Sequence, residues 1–92
     1  MQPEMKLLVG LLTNNDIPFE LRTDNLFGCS QVFYPSRNDC ICDVICNAMS
    51  YGNEVGLLEI MGLTKNGDDV EGYLTGQEVF ERICNHYSLH KK

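Results

Sequence analysis

The C-terminal part of the sequence carries the signal that most constrains the fold, an amphipathic helix that begins at a capping box. Thr75 is followed three positions later by Glu78, a spacing at which the two residues satisfy each other's backbone N–H groups at a helix start. Leu74 can pack onto Val79 beside this cap. The pattern predicts a helix over about 76–88 whose apolar face needs a surface to cover it. That face comprises Val79, Phe80, Ile83, Cys84 and Tyr87.

A second helix is predicted near the N-terminus, over about 3–14. Pro3 suits the first turn of a helix, where the N–H that proline lacks is not needed. The run Asn14-Asn15-Asp16 then favours a turn, which ends the helix. Between these signals, apolar residues recur at helical spacing, namely Met5, Leu8, Leu11 and Leu12.

The region between the helices, about 17–62, is typical of a small sheet. Residues 17–22 alternate between apolar and polar side chains, and residues 30–34 form a second strand candidate. Pro18 cannot donate a hydrogen bond to a neighbouring strand, so we expect the first strand at an edge of the sheet. An apolar run bounded by glycines, 56–62, indicates a further short strand.

Residues 40–49 fit either a strand or a helix. Their Ile, Val and Cys residues favour a strand, which would pair with 30–34 through a short turn. If the segment were a helix, its apolar residues would lie on one face. We interpret the segment as a strand, and the helical alternative stays open at this point. The apolar face of that helix would comprise Ile41, Val44, Ile45, Ala48 and Met49.

These elements predict a single two-layer α+β domain over residues 1–92, in the order α-β-β-β-β-α. Both terminal helices would pack on one face of a small antiparallel sheet. A chain of 92 residues can bury one modest core and has little room for a second. Homodimerisation is a further expectation, either through the other sheet edge or through aromatic residues taken as exposed. These are Phe27, Phe33 and Tyr34.

The cysteine content predicts free thiols and a cytoplasmic location. An odd number of cysteines leaves at least one unpaired in a monomer, and the chain shows neither a secretory leader nor an apolar run long enough for a membrane span. Disulfides are rare in a reducing compartment. The five residues are Cys29, Cys40, Cys42, Cys46 and Cys84.

The spacing of three of these cysteines raises the question of a zinc site. If 40–49 is a strand, Cys42 and Cys46 lie about 13 Å apart at about 3.3 Å per residue, which is too far for one ion. In a helix they would share a face, and Cys29 or Cys84 could complete the ligand set. The preferred strand therefore predicts no structural metal and no cofactor, with a structural zinc-binding domain as the alternative.

The sequence contains no recognised catalytic motif, so we expect a protein that is not an enzyme. It lacks a nucleophile elbow, a phosphate-binding glycine loop and a dinucleotide fingerprint. Cys46 with His86 is a conceivable nucleophile pair, but no local signature accompanies it. His86 and His90 are four residues apart near the end of the predicted helix, where cations complement the helix dipole.

Charge is distributed unevenly along the chain, whose net charge is −6. The stretch from Asp39 to Glu81 contains nine acidic residues and a single basic residue, Lys65. We therefore expect no direct nucleic-acid binding, because phosphates require a basic footprint. An acidic face suits a basic protein partner, although solubility alone explains the same charges.

The candidate interaction site combines an aromatic anchor with these acids. Tyr51 follows Ser50 and precedes Gly52 in a predicted turn, where an exposed tyrosine can anchor a partner or can instead fold over the core. The acids at 54 and 68–71 are expected in loops, exposed and mobile, and Glu78 and Glu81 extend the same sign along the helix. The predicted site comprises Tyr51, Asn53, Glu54, Asp68, Asp69 and Glu71.

Three stretches carry a resemblance to a known group of proteins. They are Ile17-Pro18-Phe19-Glu20, Ser50-Tyr51-Gly52 running into 56–62, and Gly72-Tyr73-Leu74-Thr75 before Glu78-Val79-Phe80. With them the chain resembles, along nearly its whole length, small uncharacterised proteins encoded in phages and prophages of Firmicutes. The resemblance implies a bacterial or phage-infected cytoplasm and interplay between phage and host. It implies no activity and no functional residue.

The expected function is therefore that of a small acidic accessory protein that acts by protein–protein interaction. It would inhibit or modulate a host enzyme that handles nucleic acid or serves in defence. The alternative from another class is a small-ligand binder for a nucleotide-like molecule, which would use Tyr51 and a pocket between sheet and helix.

Overall fold

The structure, a computed structural model, describes residues 3–23, 30–46 and 57–90. Within these residues, two helices flank five strands that form one antiparallel sheet in chain order. The elements are α1 (Pro3–Asn14), β1 (Glu20–Arg22), β2 (Ser30–Pro35), β3 (Cys40–Cys46), β4 (Leu58–Met61), β5 (Val70–Leu74) and α2 (Gly76–His90).

The predicted fold class is confirmed: a small antiparallel sheet is packed by N- and C-terminal helices. The sheet has one strand more than the sequence indicated, because β5 occupies residues that were expected only to lead into the last helix. Gly72 lies in the middle of β5, and the burial of its residues shows no alternation. The period of two that reveals a strand is therefore missing there.

The segment 40–49, which the sequence left open between strand and helix, is a strand over Cys40–Cys46. Residues 47–49 lie outside the described part. This strand, β3, pairs with β2 on one side and with β4 on the other. Its β-branched residues suit that central position.

The first strand lies at an edge of the sheet, as Pro18 predicted, but it is shorter than the alternating pattern. Only Glu20–Arg22 pair with β2. Ile17 instead closes the end of α1, because its N–H donates to the carbonyl of Leu12 at 3.0 Å. The Ile17 side chain is buried in the core, so the apolar residue there serves the helix junction and not the strand.

One face of the sheet and the inner faces of both helices form the core. The buried side chains alternate along β2 and β3, as a sheet covered on one side requires. Fourteen hydrophobic residues of the described part are buried. The largest fully buried side chains include Met5, Leu8 and Leu12 of α1, Val32, Val44, Leu58 and Ile60 of the sheet, and Val79 and Ile83 of α2.

The two helices meet closely where α2 begins. The backbone N–H of Gly76 donates to the Glu4 carboxylate at 2.7 Å. A Cβ at position 76 would lie 2.3 Å from the Glu4 carbonyl oxygen, so only glycine fits this contact. The predicted capping box is also present, because the N–H groups of Thr75 and Glu78 each donate to the other side chain at 3.1 Å.

A bulge interrupts the pairing of β4 with β5. Leu58 pairs with Leu74, and Ile60 pairs with Glu71. Two residues of β5, Gly72 and Tyr73, thus oppose one residue of β4. Tyr73 has φ of 62°, and its side chain is 57% exposed. The extra residue turns a large aromatic side chain outward at the edge of the sheet.

Candidate functional site

Of the predicted site residues, the structure describes Asp68, Asp69 and Glu71, and their surroundings differ. Tyr51, Asn53 and Glu54 lie outside the described residues, so their predicted roles stay predictions. Asp68 and Asp69 are exposed in the connection between β4 and β5, as expected. Glu71 is different.

Glu71 was expected in a mobile loop, and this expectation is wrong. It lies in β5, and its carboxylate accepts two hydrogen bonds from the Arg82 guanidinium, at 2.8 and 2.9 Å. The N–H of Lys65 donates to the same carboxylate at 2.7 Å. The hydrogen bonds from Arg82, and to a smaller extent the one from the Lys65 N–H, lower the pKa of Glu71 to about 2. The side chain is about one quarter exposed, so its charge is matched within the fold and is not displayed to a partner.

Arg82 ties the β4–β5 connection to α2. Besides Glu71, its guanidinium donates to the carbonyl oxygen of Leu63 at 3.0 Å. The Thr64 hydroxyl donates to the carbonyl oxygen of Asp68 within the same connection. Asp68 and Asp69 therefore extend from a braced connection, which limits the conformations in which they present their charge.

An exposed apolar patch lies on the face of the sheet turned away from the helices. Cys42, Val44 and Ile60 point to the core, so their neighbours Ile41 and Met61 point to the other face. Ile41 is 39% exposed and Met61 is 45% exposed.

Strand pairing brings the patch together. Asp43 pairs with Met61, and Met61 pairs with Val70. Ile41, two residues before Asp43, is therefore a diagonal neighbour of Met61. We call Ile41, Met61 and Val70 the open-face patch. Glu59, farther along β4, is only 8% exposed, so the patch is confined to one end of this face.

Acidic residues border the open-face patch. Asp43 lies within it and accepts a hydrogen bond from Gln31 at 2.9 Å. Asp39 is exposed just before β3, and Asp69 directly precedes Val70. We call Asp39, Asp43, Asp68 and Asp69 the acidic rim. An apolar centre within a charged rim is the usual anatomy of a protein–protein interface.

A second group of functional side chains joins β2 to the end of α2. The Tyr34 hydroxyl and His86 Nδ1 are 2.8 Å apart, and the two rings meet edge to face at 5.5 Å. His86 also stacks on His90, with ring centroids 4.3 Å apart. Burial raises the pKa of Tyr34 and lowers the pKa of His86. Among the described residues, this is the only grouping of a tyrosine with two imidazoles.

This group corrects two expectations. Tyr34 was taken as an exposed aromatic for dimerisation, but it is only 2% exposed. His86 was placed on a helix end as a cation favoured by the dipole, whereas it is held by Tyr34 and its pKa is lowered. The contact joins residues 52 positions apart, and no local pattern in the sequence reports such a pair. Phe33 is half-buried, with the Arg37 guanidinium 5.5 Å from its ring centre.

The cysteines of the described part are free thiols, and most of them are covered. Cys42 and Cys46 are buried on the core side of β3, and Cys84 is half-buried. Burial raises the pKa of Cys42 to about 12, so this thiol stays protonated and is a poor nucleophile and metal ligand. Across residues 3–23, 30–46 and 57–90, no three His, Cys, Asp or Glu side chains form a group that could hold a metal ion.

An open groove of about 410 Å³ runs along the outer side of α1. It does not lie between sheet and helix, where the sequence analysis expected a ligand pocket. Gly10 lines it, and apart from the adjacent helix backbone no atom lies within 4 Å of where its Cβ would be. The groove is lined by Pro3, Lys6, Leu7, Gly10, Leu11 and Asn14.

Comparison with known proteins found no matching family model, curated protein or solved structure. The resemblance to phage and prophage proteins therefore stays a prediction. Among the helices of the described segments, neither is long and apolar enough to cross a bilayer.

Proposed function

We propose that this protein acts by protein–protein interaction and docks through the open-face patch and its acidic rim. The observation that carries the proposal is the exposure of Ile41 and Met61 on a face that neither helix covers. Covering such apolar area lowers the free energy of the system by about 25 cal/mol per Å². A partner supplies that cover.

The charges around the patch define the partner. Asp39, Asp68 and Asp69 are exposed, so the matching surface carries Lys or Arg around an apolar anchor. Opposite charges speed association and fix orientation more than they add affinity. Enzymes that bind nucleic acid carry basic surfaces of this kind, because phosphates require them, and the resemblance to phage proteins supports a host or defence enzyme of this type as the partner. The proposed role is inhibition or modulation of such an enzyme.

The experiment starts with capture of partners from a Firmicutes lysate, followed by affinity measurement with the purified partner. In the patch variant, Ile41→Ser with Met61→Ser, we expect at least about a tenfold loss of affinity, because central apolar anchors dominate binding. The matched control is Leu89→Ser, since Leu89 is 82% exposed on α2 and lies outside the patch. Equal affinity of the two variants would refute the proposal.

The acidic rim is tested separately. Reversing Asp68 and Asp69 to Lys should slow association and flatten its dependence on salt, because steering by charge is screened at high ionic strength. Glu81→Lys, on the exposed side of α2, is the control for net charge and is compared with Asp69→Lys alone, because each replaces one acid by one base. If the control slows association as much as Asp69→Lys, then overall charge and not the rim steers the partner.

A second candidate is a small-ligand binder that uses the groove on α1. Its volume lies within the range of known ligand sites, about 300–1,000 Å³. Thermal-shift screening with nucleotides and metabolites separates the two candidates, because a ligand of the folded state raises its apparent stability. A compound that raises Tm in wild type but not in Gly10→Leu, where the groove is filled, would favour this candidate.

A further inference from the structure

The end of α2 places two imidazoles side by side on the surface of the protein. His86 and His90 are four residues apart, so they lie on the same side of the helix. Their ring centroids are 4.3 Å apart, and the ring planes differ by 27°. Two imidazoles held together in this way are a pair of nitrogen donors that bind one cation better than either binds alone.

We propose that His86 and His90 form a two-nitrogen binding site for a divalent transition-metal ion, with Tyr34 as a positioning residue behind His86. Imidazole nitrogen selects Ni²⁺, Cu²⁺ and Zn²⁺ over Mg²⁺ and Ca²⁺, which take oxygen ligands. The site is a surface chelate at the end of α2, and it is distinct from the structural zinc site considered for the cysteines.

Tyr34 prepares His86 for this role. Its hydroxyl lies 2.8 Å from His86 Nδ1, so Nε2 is the nitrogen turned to the ion. When Nε2 binds the metal, the ring proton resides on Nδ1 and Nδ1–H donates to the Tyr34 oxygen. Metal-binding histidines usually have such a partner on the second nitrogen, which fixes the ring and its tautomer. Tyr34 is buried in the core and paired within the sheet, so it is a rigid support.

His90 supplies the movable donor. It is exposed in the last turn of α2, and binding requires its ring to turn about the Cβ–Cγ bond out of the stacked position, so that a ring nitrogen points to the ion at His86. No third His, Cys, Asp or Glu side chain of the described segments joins this pair. The other coordination positions are therefore open to water or to a donor from another molecule.

The test uses Ni²⁺ as the probe, with the full chain stripped of metal and kept reduced by a non-thiol reductant. Calorimetric titration should show one saturable ion per chain. In an amide correlation spectrum, paramagnetic broadening by substoichiometric Ni²⁺ should centre on the last turns of α2. Broadening centred on β3 would place the ion at the exposed thiol of Cys40 and overturn the proposal.

Variants separate chelation from the mere presence of imidazole. His90→Gln should weaken Ni²⁺ binding on the order of 100-fold, because the second imidazole binds within the same molecule. Adding Ser88→His to this variant restores two histidines, but position 88 lies about 200° around the helix from His86. We expect no recovery of affinity. Recovery, or wild-type affinity in His90→Gln, would overturn the proposal.

The positioning role of Tyr34 has its own readout. Tyr34→Phe keeps the buried ring and removes the hydroxyl, and Ni²⁺ affinity should fall about tenfold, as for other supporting groups behind metal ligands. Nitrogen chemical shifts of the His86 ring, measured with Zn²⁺ in place of Ni²⁺, should show Nδ1–H in the wild type. Unchanged affinity and unchanged ring shifts in Tyr34→Phe would exclude Tyr34 from the site.

Discussion

Two hydrogen-bonded junctions between the sheet and α2, both within the described residues, have opposite chemistry. At one, Glu71 of β5 and Arg82 form a charged pair with two hydrogen bonds, and each side chain is about one quarter exposed. At the other, Tyr34 of β2 and His86 share one hydrogen bond, and the tyrosine is buried. A charged junction near water responds to salt and pH, whereas a tyrosine in the core contributes mainly by filling space.

The largest effect is expected from emptying the buried junction. Tyr34→Ala removes a core aromatic ring together with its hydrogen bond, and the free energy of unfolding should fall by about 3–5 kcal/mol. Urea denaturation followed by circular dichroism measures the loss. Leu89→Ala, at an exposed apolar position of the same helix, should change stability by no more than about 0.5 kcal/mol. A smaller loss in Tyr34→Ala than in Arg82→Ala would reverse the comparison.

Breaking the charged junction should cost less. Arg82→Ala removes both hydrogen bonds to Glu71 and the one to the Leu63 carbonyl, and we expect a loss of about 1–2 kcal/mol, above a simple surface pair because the geometry is bidentate. Arg82→Lys keeps the charge but not the planar fork, so it should recover only part of this. Full recovery by lysine would mean that charge alone acts. Urea titrations of the three proteins in low salt give the values.

Removing only the hydroxyl of Tyr34 sharpens the comparison. Tyr34→Phe should lower stability by about 1 kcal/mol, the net value of one hydrogen bond. Unlike the effect of Arg82→Ala, this loss should be the same in about 0.05 M and about 1 M sodium chloride, two concentrations at which the screening of charges differs strongly. A salt-dependent loss in Tyr34→Phe would show that charge contributes to the contact between Tyr34 and His86.

The smallest effect concerns acid. The pKa of Glu71 is lowered from 4.5 to about 2 in the folded protein, so its ionised form stabilises the fold. This contribution is complete above the unfolded pKa and is lost as pH falls from about 4.5 through about 2. Because the side chain is partly exposed, we expect it to be worth about 1 kcal/mol. Stability measured from pH 6 to 2 should fall less steeply in Glu71→Gln than in wild type.

The sequence predicted best what local patterns encode. The Thr75–Glu78 cap, the apolar stripe of α2 and the edge position of the first strand were all correct, because each depends on residues within a few positions of one another. Strand β5 was missed because its bulge destroys the alternation that identifies strands.

The candidate functional side chains show the same difference between features encoded by nearby residues and features that depend on distant ones. Asp68 and Asp69 were placed correctly as exposed acids, since their surroundings in the chain are polar. Glu71 looks the same in sequence, but its charge is matched by Arg82, eleven positions away. The Tyr34–His86 contact spans 52 positions. Pairing across such distances depends on the packing of the sheet against α2, which composition and periodicity do not encode.

The bulge at Gly72–Tyr73 also bears on how copies of this protein meet at high concentration. A sheet grows into a fibre by adding strands to its edges, and each addition needs a straight row of alternating donors and acceptors. One edge here, β1, is only three residues long, and the other, β5, turns out of line at Tyr73. Neither edge is a template for polymerisation, so the protein can leave its apolar patch exposed on the sheet face without recruiting further strands.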